Sequence, residues 1–239
     1  MSLQKSEPVE PGWKGLYRPG GILLVIWGIG GLVVFLMASV LYKSGYPSNP
    51  TAYLQLISHQ QLRANLLWCL WILGGFMFIL PSVAMYHILK RDNLILALLG
   101  TLLSLFYCFY DITATELNSL TLVSLSRGYA SATTDALRAS YVTAATYGYA
   151  ALPLQTVISF GIGAVGWLFW SLVMLKGHTF PRWMAIIGVI VNVVGIISAP
   201  APVVPGFFIL GLLQYLTGPL TAIWFIMIGV GLYRASDFT

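Results

Sequence analysis

Six blocks of nearly uninterrupted apolar residues, at 21–42, 65–90, 93–115, 152–176, 183–198 and 207–233, decide what this chain can fold into. A bilayer's hydrocarbon core is about 30 Å thick and takes about 20 helical residues to cross. Every block but the fifth reaches that length; 183–198 is the shortest. Backbone groups in lipid must find hydrogen-bond partners within their own segment, so such blocks are helices. The alternating ten-residue pattern of a membrane barrel is missing from the sequence. The expected fold is all-α, a polytopic transmembrane bundle of six spans forming a single membrane domain over 1–239. Residues 1–20 are expected as a polar cytoplasmic tail rather than a cleaved signal, because no small-residue cleavage site follows the first block.

Composition supports the class. Only 8% of residues are charged and the mean hydropathy is +0.84, whereas a soluble domain carries about 25% charged residues. The net charge of +5 does not point to nucleic acid, since the basic residues stand singly or in pairs at block ends. Their distribution bears on orientation instead. With the N-terminus inside, eight of the twelve (Lys5, Lys14, Arg18, Lys90, Arg91, Lys176, Arg182, Arg234) fall on the cytoplasmic side. Only Lys43, Arg63, Arg127 and Arg138 fall outside, although the outer loops are longer. Both termini are therefore expected in the cytoplasm.

The connections differ in character. Residues 90–93 and 176–182 read as tight, charged inner hinges. The run APAPVVPG at 199–206 is too rich in proline for a helix and reads as a stiff extended link. Residues 44–64 begin as a loop and turn helix-like before the second span. Residues 116–151 form an outer amphipathic segment, in which Ser131 or Thr133 can cap a helix. That helix either lies on the membrane surface or extends the fourth span outward across Pro153. Trp13, Tyr17, Trp68, Trp71, Trp183 and Tyr233 lie near block ends and read as a headgroup-level aromatic belt.

Chemical motifs are scarce. Cys69 and Cys108 both lie in apolar blocks and read as small buried hydrophobes. His59 and His87 are too far apart to share a metal. A haem between His87 and His178 explains less than two ordinary interfacial histidines do. No metal site is expected, no catalytic residue stands out, and the sequence names no cofactor. Glycines at 28–31, 74–75 and 161–166 read as surfaces where helix backbones approach closely.

Two sets of polar residues inside the blocks carry the ligand-binding expectations. Asp111 lies about 27 Å beyond Asn93 along an α-helix, which puts it near the outer edge of the core, with Glu116 beyond it. Five positions separate the two acids, about 140° around an α-helix, so local geometry does not pair them. They read as a solvated pair at the outer rim, or as an outward acidic pocket joined by Arg127 or Arg138. The second set is Asn192, near the midplane, with Gln214 and Thr217 ahead of Pro219. These either glue helices together or line a void between the fifth and sixth spans.

The stretch GIGAVGWLFWSLVMLKGHTFPRWMAIIGVIVNVVGIIS at 161–198, with DALRASYVTAATYGYAA upstream, resembles a broad group of six-helix prokaryotic membrane proteins of unknown function. The resemblance implies a fold and a prokaryotic plasma membrane, and brings no activity. Three functional classes follow in order. The first is a non-catalytic accessory subunit of a larger membrane complex, whose other subunits would hold the polar N-terminal segment. The second is a small carrier or hydrophobic-ligand binder. The third is an intramembrane enzyme or redox subunit. Membrane lipids are the partners common to all three.

Overall fold

The computed structural model describes residues 11–43, 46–204 and 208–238. Among them the chain is helical with no strand. In order the elements are α1 Pro11–Leu41, α2 Pro50–His59, α3 Gln61–Leu89, α4 Leu94–Tyr110, a π-helical turn Asp111–Glu116, α5 Leu117–Ser131, α6 Asp135–Lys176, α7 Arg182–Ser198 and α8 Phe208–Phe238. Five helical stretches are long and apolar enough to cross a membrane: Gly15–Leu41, Gln61–Leu89, Leu94–Ser131, Asp135–Lys176 and Ile209–Ser236. The sixth apolar helix, α7, has 17 residues. Together they form an integral membrane helix bundle.

Several expected boundaries move. The polar tail ends earlier, because α1 starts at Pro11, a residue suited to a helix's first turn. Residues 1–10 lie outside the described residues, as does the Trp13 side chain. Tyr17 is fully buried rather than interfacial. The second span starts at Gln61, just after α2, whose N-cap Asn49 accepts a hydrogen bond from the Ala52 N–H at 2.9 Å. The third span runs unbroken through the π turn to Ser131. The fourth starts at Asp135 instead of 152, capped by Thr134, whose hydroxyl accepts from the Leu137 N–H at 3.2 Å. It continues through Pro153, so residues 135–151 extend the span rather than lie apart from it. Residues 199–204 are not extended. Bonds from Ala201 N–H to Ser198 O and from Val203 N–H to Pro200 O wind them into tight turns. Residues 205–207 of that link lie outside the described residues.

Glycine sets the helix spacing where backbones meet. On α1, a Cβ at Gly21 would stand 2.6 Å from the Gly229 carbonyl of α8, and one at Gly28 would stand 2.7 Å from the Ala222 carbonyl. Gly100 of α4 and Gly166 of α6 meet in the same way, beneath the Trp170 ring. Only residues without a side chain permit such contact. Cys108 is buried as expected, while Cys69 is exposed on α3.

Two apolar cores result. The larger lies toward the end of the bundle that holds the 90–93 and 177–181 hinges. It is built on Tyr17, Leu24, Phe78, Trp170, Trp224 and Phe225. Within and beside it Trp27, Phe78, Trp167 and Phe225, from α1, α3, α6 and α8, each meet the other three, with ring centroids 4.8–6.5 Å apart. The smaller core occupies the opposite end. There α2, α5 and residues 142–152 of α6 pack together with Leu41 and Leu67, around Leu122 and Ala145. At 42 residues, α6 is about 63 Å long, roughly twice a bilayer core, which is how it serves both ends.

Candidate functional site

Between the two cores lies a cavity of about 510 Å3, within the range of about 300–1,000 Å3 usual for small-molecule sites. Side chains reach it from α1, α3, the π turn with the helices on either side of it, α6, α7 and α8. Asp111, Glu116, Asn192, Gln214 and Thr217 all line it. The sequence suggested two separate places, an acidic rim and a void between the last two spans. The structure has one hollow at the centre of the bundle, and both sets share it.

The acids are not at a solvated rim. Asp111 is 6% exposed and Glu116 only 2%. Their separation around the helix also differs from the expected 140°. Residues 111–116 form a π turn, in which the Leu117 N–H reaches the Ile112 carbonyl five residues back. A π turn brings position i+5 back toward position i, so both carboxyl groups turn to the cavity. Gly75 on α3 accommodates the bulge, since a Cβ there would stand 2.8 Å from Ile112 Cδ1. Neither arginine joins them. Arg127 reaches Gln61, and Arg138 pairs with Asp135 at 3.5 Å.

The two carboxyl groups have different surroundings. Asp111 accepts from the Trp71 indole N–H at 2.5 Å and from the Ser159 hydroxyl at 2.6 Å. Tyr107 and Thr115 stand close to the same group. Both Asp111 oxygens therefore have donors. Glu116 Oε2 has no hydrogen-bond partner among the described residues, although it is buried. The indole N–H groups of Trp68 and Trp167, on the same wall, are also buried and unpartnered. Such groups are uncommon in a folded interior, and here they gather around one hollow. Tyr53 on α2 lies fully buried nearby. Burial pushes its phenol well above the ordinary tyrosine range, and the neighbouring Tyr42, Tyr46 and Glu116 push the same way.

The second polar set is more self-contained. The Asn192 amide donates to the Gly188 carbonyl at 2.7 Å and to Ser171 Oγ at 3.4 Å. The Thr217 hydroxyl donates to the Gln214 carbonyl at 2.9 Å. These groups present modest polarity on a wall that is otherwise apolar and aromatic.

Trp71 and Ser159 are the residues that sequence reasoning missed. Trp71 was assigned to the headgroup belt by position, and Trp68 with it, yet both line the hollow. Ser159 had a legible signal, a hydroxyl within an apolar span. The histidines stay apart from the site: His87 Nε2 lies 3.1 Å from Lys90 Nζ at the hinge end. No group of three metal-ligating side chains gathers among the described residues.

A family model, described as a domain of unknown function (DUF4386), matches residues 20–231, well beyond the second half that carried the resemblance. No curated protein matches the chain. No solved structure does either.

Proposed function

From the premise that this chain belongs to the DUF4386 family of domains of unknown function, we propose that it is a carrier or binder of a small, mainly hydrophobic molecule held inside the membrane. The single observation behind this reading is the central cavity, walled by all six apolar helices and edged with buried polar groups that lack partners. A packed structural subunit has no need of such a hollow. Buried polar residues in membrane helices face interiors and mark ligand paths because they are costly anywhere else. Six crossings belong to the same reading. At 17 residues, α7 is about 26 Å long, and modest thinning of the bilayer accommodates that shortfall.

The accessory-subunit role has less to rest on. Its argument came from the N-terminal segment, of which residues 1–10 lie outside the described residues. An enzymatic role draws no specific support from the described residues, where Asp111 is already held by Trp71 and Ser159.

Filling the hollow tests the carrier reading. Gly195 lines it, and a Cβ there would meet Ala164 Cβ at an ordinary 3.5 Å, so the first atom of a side chain fits and Gly195→Phe serves as the filling variant. Native mass spectrometry of protein released from membranes under mild detergent should show a bound small molecule in the wild type and little in Gly195→Phe. Equal occupancy in the two proteins would sink the reading.

A further inference from the structure

We propose that the central cavity takes a hydrophobic organic cation, an alkyl- or arylammonium whose charged head sits at Glu116 and whose apolar body lies against the aromatic walls. The inference rests on the carrier reading and adds the ligand's chemical class. Three observations support it independently of one another.

The first is the charge inventory. Two carboxyl groups line the hollow, while none of its described lining residues is Lys, Arg or His. A carboxylate inside a membrane protein ordinarily has a basic partner, because unpaired buried charge is costly. Here the basic side chains nearest in sequence turn elsewhere: Arg127 to Gln61 and Arg138 to Asp135. The second is the division of labour between the acids. Asp111 is already occupied by Trp71 and Ser159, so its oxygens are held. Glu116 is 2% exposed, and its Oε2 has no partner. That leaves one acceptor position for a ligand's N–H or ammonium group. The third is the wall. Trp27, Trp68, Trp71, Tyr42, Tyr46 and Trp167 all face the hollow, and aromatic faces attract cations through their quadrupoles while also packing against apolar bodies. A neutral ligand would use the apolar wall and leave the acids without a counter-charge. An anion would be repelled by them.

The test uses full-length protein in nanodiscs of zwitterionic lipid, with empty nanodiscs subtracted for partitioning. The probes are phenylbutylammonium and phenylbutanol, which have nearly the same shape and differ in charge. Binding is read by calorimetry and by quenching of tryptophan emission. The ammonium should bind wild type about tenfold or more tightly than the alcohol, as expected when a buried charge gains its partner. Glu116→Gln should erase that preference, and Glu116→Asp should keep part of it. The comparison on wild type needs no variant, so a misfolded Glu116→Gln would not remove the test. Equal binding of both probes, with Gly195→Phe excluding both, overturns the cationic class and leaves the cavity reading standing. Absence of binding by either probe, or binding that Gly195→Phe does not alter, overturns both.

Discussion

Asp111 shows how a carboxyl group can be kept inside an apolar bundle at tolerable cost. Each of its oxygens has a donor, one from the Trp71 indole at 2.5 Å and one from the Ser159 hydroxyl at 2.6 Å. Removing a donor while leaving the buried acceptor costs about 1–3 kcal/mol. Ser159→Ala changes little volume and Trp71→Phe keeps an aromatic ring, so each should lower stability by about that amount in thermal unfolding of detergent-solubilised protein. Both donors serve one carboxyl group, so the double variant should cost less than the sum of the two single ones in the same assay; strict additivity would contradict that coupling. Asp111, Asn192, Gln214 and Thr217 were legible in the sequence as polar exceptions within apolar blocks, and Glu116 as an acid just past the end of one. Their meeting was not. The depth assigned to Asp111 assumed a span ending at 115, and the 140° separation assumed ideal α geometry. A π turn leaves no simple signature in residue type: DITATE at 111–116 holds no Gly or Pro to announce it.

At the scale of elements, α1 and α8 run close enough that backbone meets backbone at Gly21 and Gly28. Gly30, two residues from Gly28, has nothing within 4 Å of a built Cβ. The pair makes an internally controlled experiment. Gly28→Val should destabilise by about 1–3 kcal/mol or more through overpacking. Gly30→Val, set against lipid or open space, should stay within about 0.5 kcal/mol of wild type. Thermal unfolding of the two variants side by side decides it, and equal losses would show that helix propensity rather than packing governs both. The glycine runs were legible as packing surfaces, but which glycine bears the contact depends on helix rotation, which hydropathy does not encode. Element ends were read less well for a related reason. Hydropathy marks where lipid-compatible sequence stops, while α6 continues as helix to Asp135, its exposed first turns capped by Thr134 and its packing against α5 beginning at Tyr141. The helix and the apolar block are different objects there.

For the whole molecule we propose six crossings, which would place both ends on one side of the membrane, the cytoplasmic side by the excess of Lys and Arg. Single cysteines introduced at Arg91, Gly177 and Ser236, in a background lacking Cys69 and Cys108, should share one labelling side. One at Ser48 should react from the other. A split among the first three would mean that α7 does not cross. The helical class and the five long apolar helices were legible from block length alone. The hollow between two cores was not, because it arises from where side chains fail to fill space, a property of all six helices together.

The four mutually touching rings of Trp27, Phe78, Trp167 and Phe225 have a kinetic corollary. One ring comes from each of four helices, so no helix can swing away without disturbing contacts made by the others. Two of the rings, Trp27 and Trp167, also line the cavity, so under the proposed carrier reading the knot would close its floor toward the hinge end. If a guest does leave by the hinge face, its passage would then be limited by the loosening of that knot rather than by the grip of Glu116.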